Sequence, residues 1–221
     1  DSVGLCDSRD NPCRNIQKYK EQRRERFLSQ VELARLGDAL STSDCGLYQL
    51  AAIRLLLFTG ARLSEVLTLK WEWVDFESRS IRLPDSKTGA KTVYLNAPAL
   101  EVLANLPRLK GNPFVICGAK GGAHLVNLQK PWRKIRASAG LDDVRIHDLR
   151  HTFASVGAAS GASLPIIGGL LGHSQPATTN RYAHLSANPM LDASEAIGRK
   201  IEQGMKNSAS EKPASNLERL K

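Results

Sequence analysis

From Leu28 onward the apolar positions fall at helical spacing. In LSQVELARLGDAL they lie on one face, and Ser29 and Glu32 have the spacing of a capping box at its start. Residues 46–58, with LYQLAAIRLLLF, are apolar almost all round, the pattern of a helix inside a core. Thr59-Gly60 interrupts this run, and ARLSEVLTLKW predicts the next helix. The period then changes. Residues 72–84, ending SIRLP, and residues 91–96, KTVYLN, read as β-strands joined by the turn DSKTGA with Gly89. A helix at 98–106 and a short apolar strand, FVIC, come next, followed by the glycine-rich loop GAKGGAH, which lacks P-loop spacing. Helical patterns return in LQKPWRKIRASAG, HDLRHTFASVGAAS, LPIIGGLLG and PATTNRYAH. Met190, Leu191, Ala193, Ile197, Ile201 and Met205 predict one more amphipathic helix over 190–205. The pattern implies an α+β fold, mainly α-helical with a small antiparallel β-sheet, and no internal repeat.

Composition narrows the function. At 221 residues the chain can bury a sizeable core, and its 42% hydrophobic and 24% charged residues suit a globular protein. The charge is the informative term: 31 Lys and Arg against 22 Asp and Glu give +9, which points to a polyanion, with nucleic acid the leading candidate. Cys6, Cys13, Cys45 and Cys117 form neither a CxxC pair nor a zinc-finger spacing and suit a reducing compartment. The apolar runs are too short and too charged to span a membrane, and the polar opening DSVGLCDSRD is no signal peptide.

Five places could carry chemistry, and each alone has a plain structural explanation. Arg62 and Glu65 share a helix face, which suits a surface ion pair; at a buried helix start, however, the guanidinium needs an anionic partner. Lys87 lies in the hairpin turn, where a lysine is usually solvated but can also swing into a ligand; Lys91 is its rival. His147 and His151 have an i, i+4 metal-ligand spacing, but no HExxH pattern or third ligand accompanies them. His147 and Arg150, at i, i+3, could offer a phosphate one imidazole and one guanidinium, with Asp148 capping the helix. His173 follows an apparent helix end and could simply complement its dipole. Tyr182, in TTNRYAH, could be a core aromatic. Together these side chains are the parts for metal-free phosphoryl transfer. Two arginines neutralise the phosphodiester, a tyrosine attacks, and a lysine or histidine protonates the leaving oxygen.

In this order the motifs resemble the tyrosine recombinase (phage integrase) family, from about residue 28 to 186. TGARLSEVLTLKW resembles its first arginine motif, SKTGAKTVYL its hairpin lysine motif and HDLRHTFAS its His-x-x-Arg motif; LLGHS and TTNRYAH resemble its final His and nucleophilic Tyr motifs. The resemblance implies that Arg62 and Arg150 bind the scissile phosphate and that His173 hydrogen-bonds it. His147 would bond a non-bridging oxygen or help take the tyrosine proton. Lys87, rather than Lys91, would protonate the 5′ leaving oxygen. Tyr182 would attack to give a 3′-phosphotyrosine, with Glu65 supporting the site. No metal, nucleotide or other cofactor is implied. The sequence departs from the family at Tyr94, where a proline is frequent, and at Gly168-Gly169, where bulkier helix formers are usual.

The resemblance also implies an organisation. Residues 1–27, with their basic stretch 14–26, correspond to an interdomain linker; residues 28–205 form the catalytic domain; 206–221 read as a disordered tail, and an N-terminal core-binding domain is expected to be absent from this chain. The implied activity is site-specific recombination of double-stranded DNA, integrating or excising a phage or genomic-island element in the cytoplasm of a bacterial host. A homotetramer joined through the C-terminal helix, with DNA-bending or directionality proteins as accessory partners, would carry it out. Two other readings share these residues: type IB topoisomerase-like DNA relaxation and a non-catalytic DNA-binding module. The RYAH motif and the short His173–Tyr182 spacing favour the recombinase.

Overall fold

A computed structural model describes residues 25–85, 89–185 and 189–210. Helix α1 (Gln30–Thr42) starts at the expected capping box: Glu32 N–H donates to Ser29 Oγ (3.3 Å) and Ser29 N–H to the Glu32 carboxylate (2.9 Å). Arg26 clamps this start, bonding both Glu32 and Asp143. Helix α2 (Leu47–Thr59) is the core helix that its sequence predicts, burying Ala51, Ala52, Ile53, Leu55 and Leu56 between α4 (Ala97–Ala104) and α6 (Ile146–Ala159). Trp132 on α5 (Gln129–Ser138) is fully buried, and its indole N–H is satisfied by the Val144 carbonyl at 3.1 Å.

The sheet differs from the expectation in one respect. Residues 72–84 are not one strand. A 3-10 turn (Trp71–Trp73) leads into β1 (Val74–Asp75), the chain reverses, and β2 (Ser80–Leu83) returns beside it. The reversal is driven by Asp75, whose carboxylate accepts from Ser78 N–H (2.9 Å), and it closes on Arg79 at φ +50°. Strand β3 (Lys91–Tyr94) completes an antiparallel sheet of order β1-β2-β3, with Leu83 opposite Lys91 and Ser80 opposite Tyr94. Tyr94 is exposed, so a residue other than proline is accommodated there without repacking. FVIC is not a strand: it makes only isolated bridges, Lys70 to Phe114 and Cys117 to His124, although Val115 and Ile116 are buried as expected. The architecture is α+β, mainly helical with one small antiparallel sheet.

A second, smaller cluster holds the C-terminal elements. Ala154 and Ala158 of α6 pack with Ile167 and Leu171 of α7 (Leu164–Leu171) and with Tyr182. PATTNRYAH divides into α8 (Pro176–Thr179) and a 3-10 helix (Asn180–Leu185). Helix α9 (Pro189–Ser210) runs longer than the predicted 190–205 and exposes Met190, Leu191, Ile197, Ile201 and Met205. No helix among the described residues is long and apolar enough to cross a membrane.

Candidate active site

The site is assembled around two glycine turns. Gly60 ends α2 in the left-handed conformation (φ +63°), and a Cβ there would lie 2.6 Å from the Phe153 ring and 2.9 Å from Leu171. The chain therefore turns tightly against α6 and α7. Its next residues place Arg62 at the start of α3 (Leu63–Leu67), a shorter helix than ARLSEVLTLKW suggests. Gly172 ends α7 in the same conformation (φ +68°), with Lys91 Cδ 2.7 Å from where a Cβ would stand.

Three cations from separate parts of the sequence meet at the α7 C-terminus. Arg150 is 5% exposed; it donates through Nη1 to the Gly60 carbonyl (2.6 Å) and through Nη2 to the Leu171 carbonyl (2.7 Å). Lys91 Nζ donates to Glu65 Oε2 (2.8 Å) and Leu171 O (3.3 Å). Arg62 donates to Glu65 Oε1 (2.8 Å) and to the Gly172 carbonyl (3.3 Å). Carbonyls at a helix end carry the negative pole of its dipole, so they suit cations. Glu65 also accepts from the Arg62 backbone N–H at 2.8 Å, capping α3. The expected Arg62–Glu65 pair thus exists, but Glu65 is buried and shared with Lys91.

The histidines and the tyrosine lie on the adjoining face. Asp148 caps α6 as expected, accepting from Arg145 N–H at 2.8 Å. This sets His147, Arg150 and His151 at i, i+3 and i+4 in the first turns. His173 follows Gly172, and its Nδ1 lies 2.9 Å from Thr179 Oγ1. Gly168 makes that contact possible: a Cβ on it would stand 2.9 Å from the same Thr179 oxygen, whereas Gly169 faces open space. The Tyr182 hydroxyl, in a residue 4% exposed, lies 2.6 Å from His151 Nδ1, and the His151 ring meets His147 edge-on at 4.8 Å. Lys87 lies outside the described residues. His151 had a sequence signal only as the i, i+4 neighbour of His147.

Burial and like charge set the protonation states. Burial and then Arg62 bring Arg150 down to about 10, against the pull of Glu65. Burial, then Arg150 and Arg62, hold His173 down at about 4. His151 is held at about 4 by burial, then by His147 and Arg181. His147 is lowered by burial and Arg150. All three imidazoles are neutral at pH 7. Burial raises the Tyr182 phenol, partly opposed by Arg181 and Arg150. Burial would raise Glu65, but hydrogen bonds from Lys91 and the Arg62 backbone outweigh it and keep the carboxylate below its usual range. Beside these groups a cleft of about 410 Å3 is lined by Gln129, Arg136, Arg145, His147 and Arg150. Among the described residues no cluster of His, Cys, Asp or Glu could hold a metal ion.

Comparison with known proteins bears on the family and the fold. The phage integrase family matches residues 26–188. A shufflon-specific DNA recombinase from Escherichia coli is 28% identical over 204 residues, covering 90% of this chain and 50% of that protein. Tyrosine recombinase XerD from Corynebacterium glutamicum is 30% identical over 182 residues, covering 75% and 59%. The catalytic domain of bacteriophage HP1 integrase superposes with a TM-score of 0.59 at 26% identity, covering 76% of this chain and 93% of that domain. The chain thus spans between half and three fifths of the length of these two full-length relatives.

Proposed function

Because this chain belongs to the phage integrase family of tyrosine recombinases and carries its catalytic domain, we propose that it cleaves and rejoins double-stranded DNA without metal or nucleotide, through a 3′-phosphotyrosine on Tyr182. Arg62 and Arg150 bind the scissile phosphate; His173 and His147 hydrogen-bond its non-bridging oxygens. Lys87 protonates the 5′ oxygen as it leaves, and Glu65 orients Arg62. The observation that carries this reading is the convergence of Arg62 and Arg150 on consecutive carbonyls at the α7 end, one residue before His173. Arg150 is held by the neutral carbonyls of Gly60 and Leu171, and Arg62 and Lys91 share the single carboxylate of Glu65, so the cluster keeps a net positive charge for an anion.

The biological role follows from the same reading: integration or excision of a phage or genomic-island element in bacterial cytoplasm, with accessory DNA-bending or directionality proteins. Residues 28–205 act as the catalytic domain and residues 1–27 as a linker crossing the DNA. Helix α9 joins subunits in a tetramer. Its Ile197, Ile201 and Met205 are spaced i, i+4 and are 59–70% exposed, a stripe suited to a second copy.

The test uses nicked duplexes cut from the ends of the encoding element. Wild-type protein should form a covalent adduct that maps to the Tyr182 peptide, and Tyr182→Phe should form none. Binding without any adduct would leave a DNA-binding module; relaxation of supercoiled plasmid lacking those ends would favour a topoisomerase. Deletion beyond residue 188 should alter assembly or cleavage, and no effect on either would remove the role given to α9.

A further inference from the structure

One group in the site has a contact that the family roles above leave unused. The Tyr182 hydroxyl is bonded to His151, not to His147, at 2.6 Å. His151 is neutral at pH 7, and in the tautomer that carries its ring proton on Nε2 its Nδ1 accepts the Tyr182 hydroxyl proton, the arrangement a base requires. We propose that His151 is the general base for Tyr182: the phenolic O–H bond breaks as that oxygen bonds phosphorus, the proton passes to His151 Nδ1, and the phosphorus–5′-oxygen bond breaks, its oxygen taking a proton from the lysine acid. On rejoining, the 5′ hydroxyl returns its proton to the lysine as its oxygen bonds phosphorus, the phosphorus–Tyr182 oxygen bond breaks, and the departing phenolate recovers its proton from His151. The inference rests on the assignment of Tyr182 as nucleophile.

The surroundings explain why such a base stays idle until DNA is bound. His147 and Arg150 face His151 from its own helix, Arg181 from the 3-10 helix and His173 from the end of α7. Arg26, Glu25 and His184 line the same crevice, and Glu25 lies 4.0 Å from His184. Cationic neighbours dominate, so a proton on His151 is disfavoured in the empty site. A phosphodiester among Arg62, Arg150 and His173 supplies the missing negative charge and raises the basicity of His151 where the proton must go. His147, which lines the cleft beside Arg150 at the first turn of α6, remains available to the phosphate.

The experiment is single-turnover adduct formation on the same nicked duplexes, made with sulfur in place of the scissile 5′ bridging oxygen. A leaving thiolate needs no proton, so the rate reports nucleophile activation alone. We expect His151→Ala to slow the reaction by about 100-fold or more. His151→Asn places an amide oxygen near the Nδ1 position; it keeps the hydrogen bond but cannot hold the proton. It should remain slow and speed up with pH as hydroxide replaces the base, while the wild type levels off. Melting temperature and duplex affinity distinguish this from a folding defect, and Asn serves if Ala does not fold. Either folded variant reacting within about threefold of wild type with the same pH profile would overturn the proposal. So would a fast Asn variant beside a slow Ala one, since that would show positioning only. If the wild type itself forms no adduct while Tyr182 is intact, the nucleophile assignment falls first and this inference with it.

Discussion

Glu65→Gln is the most informative single perturbation of the charge cluster. The Glu65 side chain is 5% exposed and faces Lys91, 6% exposed, and Arg62, 20% exposed. Breaking a buried ion pair by removing one partner costs about 3–5 kcal/mol, because the other charge is left uncompensated. Glutamine keeps an oxygen that can accept from one of the two donors, so the low end, about 3 kcal/mol, is expected at pH 7. The pH dependence carries the sign. The folded pKa of Glu65 lies below its ordinary 4.5, so its contribution is present above pH 4.5 and is lost as pH falls through the folded value. Lys91 is depressed by burial, partly offset by Glu65; without Glu65 it sheds its proton more readily, and the variant regains stability at alkaline pH. The penalty should therefore be largest near neutrality and shrink on both sides. Urea unfolding at a series of pH values measures it, through the midpoint at constant slope. A loss below about 1 kcal/mol, or one that is flat from pH 4 to 9, would refute the pairing argument.

Other substitutions test the turns and the imidazoles. Gly60→Ala combines a left-handed residue with overpacking against Phe153 and Leu171, and should cost about 2–5 kcal/mol by denaturant unfolding. Gly169→Ala meets open space in a helix and should stabilise by about 0.5–1 kcal/mol; Gly168→Ala should forfeit that gain and slow adduct formation, because it displaces Thr179 from His173. His151 and His173 fall from 6.5 to about 4 on folding, so the unfolded chain takes up protons first. Melting temperature should fall as pH drops from 6.5 towards 4, and His173→Asn should flatten that slope.

What could be read from the sequence was whatever depends on local period or on ordered motifs. Ser29 and Glu32 fix the start of α1 within one turn, and the apolar run 46–58 has the all-round pattern of a core helix, which α2 is. The hairpin at 75–80 has little sequence signal because it rests on one Asx contact, from Ser78 N–H to the Asp75 carboxylate, inside a run of strand-forming residues. FVIC predicts a strand, but an apolar run of four does not distinguish a strand from a buried loop. At Gly168-Gly169 the sequence shows only a departure from the usual helix formers; the fold shows that one glycine admits Thr179 and the other faces open space. His151 is the clearest case. Its spacing from His147 is visible in the sequence, but its partner Tyr182 is brought to it by α7 and α8, and nothing local records that.

The same cluster explains why this domain should respond to small anions before any DNA is present. Arg62, Lys91 and Arg150 stand against one carboxylate, Glu65, and Arg150 is satisfied by the carbonyls of Gly60 and Leu171. A carbonyl satisfies an N–H without cancelling the charge behind it. The site therefore holds an excess of positive charge, which adds to the larger effect of burial in bringing Arg150 down to about 10 and His173 to about 4. An anion seated there removes repulsion that the empty fold must bear. Binding to the folded state alone stabilises it by RT ln(1 + [L]/Kd), about 2.7 kcal/mol at a hundredfold excess over Kd. Inorganic phosphate titrated at fixed ionic strength should raise the melting temperature beyond any effect of chloride, and Arg150→Met should abolish the difference. An equal response to both salts, or a phosphate effect that survives Arg150→Met, would mean that the excess charge is screened by solvent and that the convergence at α7 is structural only.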